Sequence, residues 1–61
     1  MINEIKRVEK SYTYVKYVVR GENLTEEEIN NVAEISQEST FGNDIYINKE
    51  RCYATVTAYT D

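Results

Sequence analysis

The sequence predicts a small α+β domain of two layers, with the element order β(β)αββ and one amphipathic helix packed on an antiparallel sheet of three or four strands. Three observations support this class: a Tyr/Val-rich segment that alternates in polarity, a helix start with three consecutive glutamates, and two final apolar segments joined by a polar turn. A chain of 61 residues has room for one core, so we expect residues 1–61 to form a single domain.

The first clear strand is expected from Ser11 to Arg20, followed by a turn at 21–23. Side chains of a strand point alternately to its two sides. One side carries Thr13, Val15, Tyr17 and Val19, and the other carries Tyr12, Tyr14, Lys16, Val18 and Arg20. Both sides have large residues, so this strand alone does not show which of them faces the core.

The first ten residues allow two interpretations. Ile2, Ile5 and Val8 recur every three positions, which suits a short helix. The segment 4–8 equally suits a strand that is joined to the next one by a turn at 9–11. We favour the strand, or an extension of the strand that follows.

The single helix is predicted from 26 to 37. Thr25 and Glu28 have the Thr-x-x-Glu spacing of a capping box, in which each side chain bonds a backbone N–H near the helix start. Leu24 and Ile29 occupy the positions of a hydrophobic staple around that start. The apolar positions then recur with helical spacing. They are Ile29, Val32, Ala33 and Ile35.

The C-terminal part is predicted as a loop, a strand, a turn and a longer strand. In the loop at 39–44, Phe41 is expected to anchor the chain and Gly42 to supply flexibility. The later elements are expected at 45–47, 48–50 and 51–60. Small apolar residues of the last strand alternate with Tyr and Thr, and they form a floor on which the helix can lie. They are Cys52, Ala54, Val56 and Ala58.

Composition argues against several kinds of partner. Eleven acidic and seven basic residues give a net charge of −4, which disfavours nucleic-acid binding because that depends on Lys and Arg displacing counterions from phosphates. No apolar stretch approaches the roughly 20 residues that span a bilayer, and the N-terminal segment lacks the apolar centre of a signal peptide. We expect a cytoplasmic protein without membrane contact.

The side chains that most enzyme chemistry needs are missing from the sequence. There is no histidine to act as a base or a metal ligand, and the two glycines lie too far apart for a phosphate-binding loop. Cys52 is the only cysteine, and its neighbours predict a small buried apolar role rather than a reactive thiol. We therefore expect no enzymatic activity, no metal site and no cofactor.

Five of the six tyrosines are expected on the sheet side that the helix leaves uncovered. Tyrosine is enriched in protein interfaces, although Tyr and Thr also favour half-exposed strands for structural reasons. We predict a partner-binding surface there, with two basic residues at its rim. The set is Tyr12, Tyr14, Lys16, Arg20, Tyr46, Tyr53 and Tyr59. The partner would be another protein or a second copy of the chain, since the negative charge disfavours a platform for stacking nucleic-acid bases.

A second candidate surface is acidic. Its carboxylates would imitate a run of phosphates and occupy a groove that binds nucleic acid. The set is Glu26, Glu27, Glu34, Glu38 and Asp44. The small size, the charge and the element order are similar to those of phage-encoded inhibitors of host machinery, although no motif is shared. The sequence thus predicts a small acidic, non-enzymatic protein-binding module, in its narrowest form a phage-type inhibitor, with a homo-oligomeric structural protein and the acidic mimic as alternatives.

Overall fold

The computed structural model describes residues 1–61 and contains four strands and two short helices. The strands are β1 (Ile2–Lys10), β2 (Tyr14–Gly21), β3 (Asn43–Ile47) and β4 (Tyr53–Tyr59), and the helices are α1 (Glu26–Asn30) and α2 (Ala33–Glu38). All four strands form one antiparallel sheet with the order β1-β2-β4-β3. The predicted α+β class is confirmed, and the first ten residues form a strand rather than a helix. No helix has the length and apolar character needed to cross a bilayer.

The core lies against one side of the two central strands, β2 and β4. Odd-numbered residues of β2 and even-numbered residues of β4 point to this side, as the pairing of Tyr17 with Val56 shows. The helices add Ile29 and Ile35, and the turn before them adds Leu24. The nine buried hydrophobic residues are Val15, Tyr17, Val19, Leu24, Ile29, Ile35, Ala54, Val56 and Ala58. Alternation along the two strands therefore decides which of their side chains are buried.

The helical segment is not the single helix that the sequence predicts for 26–37. It breaks at Asn31 and Val32, where Val32 has an extended backbone with φ −69° and ψ 121°. Asparagine and β-branched residues have low helix propensity, which weakens the segment at this point. On one continuous helix, Ile29 and Ile35 would lie about 120° apart around the axis. The break reorients the chain so that both side chains are fully buried.

The start of α1 has only half of the predicted capping box. The Thr25 hydroxyl accepts a hydrogen bond from the Glu28 N–H at 3.1 Å. The Glu28 side chain does not bond back to Thr25 and instead lies 3.2 Å from the Met1 ammonium. Leu24 and Ile29 are both fully buried around this helix start, in the positions that the hydrophobic staple predicts.

The predicted anchoring role of Phe41 is wrong, because its side chain is 67% exposed. The loop is held by its backbone instead. The Phe41 N–H donates to the Tyr59 carbonyl at 3.1 Å, and the Tyr59 N–H donates to the Gly42 carbonyl at 2.9 Å. Gly42 has φ +99°, a backbone conformation that L side chains rarely adopt, so glycine is required at this point of the loop.

The predicted burial of Cys52 is also wrong, since Cys52 is exposed in the turn between β3 and β4. The Asn48 side-chain oxygen accepts hydrogen bonds from the backbone N–H of Cys52 at 3.0 Å and of Tyr53 at 3.2 Å. Arg51 takes a positive φ of 58° within the same turn. This geometry delays the start of β4 to Tyr53 and removes Cys52 from the alternation of the strand.

Hydrogen bonds also tie this turn to the end of β2 and to the segment that follows it. The Gly21 N–H donates to the Cys52 carbonyl at 3.0 Å, and the Arg51 guanidinium donates to the Leu24 carbonyl at 3.0 Å. A Cβ on Gly21 would collide with the Met1 carbonyl and would lie 3.0 Å from the Ile2 Cα. Glycine at this position therefore allows β1, the helix start and the β3–β4 turn to meet.

Candidate protein-binding face

The sheet side opposite the core, which we call the open face, carries the alternate residues of all four strands. From β1 to β3 these are Glu4, Lys6 and Glu9, then Tyr14, Lys16, Val18 and Arg20, then Tyr53, Thr55, Thr57 and Tyr59, and finally Asp44 and Tyr46. None of these residues is buried. The open face thus contains four of the tyrosines that the sequence assigns to a binding surface.

The four tyrosines form two pairs rather than one continuous patch. Tyr14 lies directly opposite Tyr59 on the neighbouring strand. Tyr46 lies opposite Thr55 and is therefore the diagonal neighbour of Tyr53. Tyr53 and Tyr59 are the two ends of β4, about 20 Å apart at the usual rise of a strand.

Hydrogen bonds to carboxylates hold the Tyr14–Tyr59 pair in place. The Tyr14 hydroxyl donates to Glu9 at 2.5 Å, and the Tyr59 hydroxyl donates to Asp44 at 2.7 Å. Each bond favours the protonated phenol, and the nearby negative charge acts in the same direction. As a result, the pKa of Tyr14 and the pKa of Tyr59 are both raised.

The other pair is associated with a cation. The Arg20 guanidinium lies over the Tyr53 ring, 5.1 Å from its centroid, and Arg20 Nε is 3.8 Å from Glu4. Tyr46 is 63% exposed, which leaves most of its surface available for contact. Lys16 lies opposite Thr57, between the two tyrosine pairs rather than at the rim.

Tyr12 does not belong to the open face. It lies in the turn between β1 and β2 and is 98% exposed. The sequence suggests strand alternation through this residue, but β2 begins only at Tyr14. Tyr12 and Tyr14 therefore do not share a strand surface.

The acidic set is divided between separate parts of the molecule. Glu26 and Glu27 lie in α1, and Glu34 and Glu38 lie in α2, on the far side of the break at 31–32. Asp44 lies on the open face, where it accepts the Tyr59 hydroxyl. Because the predicted helix is not continuous, the four glutamates do not follow one helical face.

A groove with a volume of about 500 Å³ runs beside β3, at the edge of the sheet. It is lined by Glu26, Ile45, Tyr46, Ile47, Asn48, Lys49 and Arg51. Sequence reasoning missed this site, because it depends on β3 being an edge strand. No group of three or more His, Cys, Asp or Glu side chains is arranged to hold a metal ion.

No protein-family model, no curated protein and no solved structure matches this chain. Its function is therefore inferred from the sequence and from the geometry of the open face.

Proposed function

We propose that this chain is a small two-layer, non-enzymatic binding module that docks on the surface of a partner protein through the open face. The observation that carries the proposal is the ordering of its tyrosines. Tyr14 and Tyr59 are held by carboxylates of neighbouring strands, and Tyr53 is held under Arg20. Side chains that are already ordered lose less conformational entropy on binding, so more of their contact area contributes to affinity.

The charges of the open face favour a protein surface as the partner. They are Lys6, Lys16 and Arg20 against Glu4, Glu9 and Asp44. Positive and negative groups are balanced, so the face lacks the basic stripe that attracts a polyanion. Mixed polar groups around aromatic side chains are typical of protein–protein interfaces.

We place the centre of the contact at Tyr46 and Tyr53. Tyr46 is the most exposed tyrosine of the open face, and Arg20 adds a guanidinium beside Tyr53. Tyr and Arg are enriched among the few residues that dominate binding energy in interfaces. The Tyr14–Tyr59 pair extends the contact along the same face.

An inhibitor of the phage type, which blocks a host protein by occupying its surface, is the narrowest form of this proposal. Its compartment would be the cytoplasm, where the exposed thiol of Cys52 stays reduced. The alternative of an acidic mimic stays a prediction, and the division of its carboxylates among three elements makes it the weaker one.

The test is to isolate a protein that binds the full chain and to measure the dissociation constant of the complex by calorimetry. Tyr46→Ala and Tyr53→Ala should each raise the dissociation constant by about 10- to 100-fold, as for other dominant interface tyrosines. Tyr12→Ala is the matched control, because it removes an equal side chain outside the open face. It should change the constant by less than about twofold.

Circular dichroism must first show that the variants are folded. Equal affinities for Tyr46→Ala, Tyr53→Ala and Tyr12→Ala would refute the open face as the binding surface. Loss of binding in a Glu27→Gln/Glu34→Gln variant, with a steep decrease in affinity as salt rises, would support the acidic mimic instead.

A further inference from the structure

The two edges of the sheet differ in how they are protected from another strand. β1 has two register shifts, between Ile2 and Glu4 and between Arg7 and Glu9, and most of its residues are charged. Bulges and charges are features that discourage a foreign strand from pairing with an edge. β3 has the sequence NDIYI, with no register shift and no Lys, Arg or Pro. The β3 edge therefore has one charged residue, Asp44, and lacks the bulges and the several charges of the β1 edge.

The backbone of β3 shows which groups this edge offers. The Tyr59 N–H bonds the Gly42 carbonyl, and the Asn48 N–H bonds the Tyr53 carbonyl, each at 2.9 Å. Since hydrogen-bonded and non-bonded pairs alternate in an antiparallel ladder, Asp44 and Tyr46 also direct their backbone groups towards β4. The residues that alternate with these two along β3 direct their backbone N–H and carbonyl groups outward, where no further strand lies. These are Asn43, Ile45 and Ile47.

We propose that the β3 edge pairs antiparallel with β3 of a second copy of this chain, around a two-fold axis at Ile45. Ile45 then pairs with Ile45 of the second copy, and Asn43 pairs with Ile47 of the second copy. Every outward N–H and carbonyl of the strand meets a partner in this register. The two sheets join into one continuous antiparallel sheet.

The side chains of β3 fit this register on both sides of the sheet. On the core side, Ile45 and Ile47 are only partly buried and line the groove of about 500 Å³. The isoleucines of the second copy would lie beside them and remove this apolar surface from water. On the open face, Asp44 lies opposite Tyr46 of the second copy, so no like charges face each other.

The size of the chain gives a second reason for a partner of this kind. Domains of about 60 residues bury a smaller fraction of their surface than larger domains do, and association is one of the ways in which they gain stability. The joined sheet also places two open faces on one continuous surface. The inference concerns the edge of the sheet rather than its open face, with Tyr46 shared by both, and it does not depend on the proposed function.

The test uses the full chain made by chemical synthesis with a single methyl group on one backbone nitrogen. N-methylation of Ile45 removes an outward donor from β3 without changing any side chain. N-methylation of Ile5 is the matched control, since the same alternation directs the Ile5 N–H outward from β1. Masses are followed by sedimentation from about 1 µM to about 1 mM, a range that covers weak association.

The unmodified chain should form a dimer within this range. N-methylation of Ile45 should raise the dimer dissociation constant by about 10- to 100-fold, because two hydrogen bonds are lost per dimer. N-methylation of Ile5 should leave the constant unchanged. Amide hydrogen exchange gives a separate readout: protection of the Ile45 N–H should increase with concentration, and that of the Ile5 N–H should not.

The inference is overturned if the chain is monomeric over the whole range, or if the two methylated chains have the same dimer constant. It is also overturned if protection of the Ile45 N–H does not depend on concentration. A dimer that Tyr46→Ala and Tyr53→Ala dissociate, and that N-methylation of Ile45 leaves intact, would indicate association through the open faces instead.

Discussion

The two sides of the sheet are built from neighbouring residues of the same strands, yet they differ in almost every property. On the core side, β2 and β4 place residues such as Val15, Val19 and Val56, all fully buried. On the open face, the alternate positions carry Tyr, Thr, Lys and Arg, none of them buried. The same residue type has opposite roles on the two sides, as Tyr17 in the core and Tyr46 on the open face show.

Position in the alternation, more than residue type, decides what a side chain of these strands contributes. A residue on the core side contributes by the apolar area that it removes from water. A residue on the open face contributes little to folding and is available for contact with another molecule. Substitutions at adjacent positions of one strand can therefore distinguish residues that stabilise the fold from residues that are free to contact a partner.

The largest difference is expected between Val19→Ala and Val18→Ala. Val19 is fully buried, so loss of its methyl groups should lower the free energy of unfolding by about 2–3 kcal/mol through lost burial and a residual cavity. Val18 is its neighbour on the open face, where the same change should cost less than about 1 kcal/mol through strand preference. Urea denaturation of the two variants measures both values, and equal losses would show that both sides of β2 are core.

A smaller difference is expected between two nearly isosteric exchanges on β4. Val56→Thr places a hydroxyl without a hydrogen-bond partner in the core and should lower the free energy of unfolding by about 1–3 kcal/mol. Thr55→Val, one residue away on the open face, should change the free energy of unfolding by less than about 0.5 kcal/mol. If Thr55→Val is as costly as Val56→Thr, the distinction between the two sides of β4 fails.

The smallest expected effect is a gain in stability from Tyr17→Phe. The Tyr17 hydroxyl is buried without a hydrogen-bond partner. Its removal should raise the free energy of unfolding by about 1 kcal/mol at pH 7, because an unsatisfied buried group carries a desolvation cost. The control is Tyr46→Phe, which removes an exposed hydroxyl and should leave stability unchanged. A loss of stability in Tyr17→Phe would reveal a partner for this hydroxyl.

Tyr17→Phe should also change the response to alkali. Burial, followed by the nearby charges of Glu38 and Glu34, raises the pKa of Tyr17 above its unfolded value near 10. The folded chain therefore keeps the phenol proton at a pH where the unfolded chain has lost it, and stability decreases as the pH rises above about 10. Denaturation curves below and above this pH should show a smaller decrease in Tyr17→Phe than in the unmodified chain.

The sequence predicted the parts of this fold that depend on local patterns. Alternation assigned Val15, Val19, Ala54 and Val56 to one side of their strands, and the Thr25 cap marked the start of a helix. The break near Asn31 was missed, because it depends on where the core needs apolar side chains. Strand order was equally inaccessible, since the pairing of β2 with β4 joins distant parts of the chain.

The sequence predicted which tyrosines lie on the candidate binding face better than it predicted how they are arranged there. Alternation placed Tyr14, Tyr53 and Tyr59 on one face, but the two separate tyrosine pairs follow from register, which local patterns do not determine. Cys52 was misplaced because the Asn48 side chain organises the turn before β4, and a positive φ such as that of Arg51 has no clear sequence signal outside glycine.

The strand order also has a consequence for how the chain folds. β1 with β2 and β3 with β4 are hairpins of neighbouring segments, whose ends meet quickly. The contact that joins them is the pairing of β2 with β4, which brings Val19 beside Ala54 and requires closure of the whole intervening chain. Each hairpin contains only one of the two strands, β2 and β4, against which the core packs. We therefore expect the pairing of β2 with β4 to form late, in one cooperative step, and to limit the folding rate.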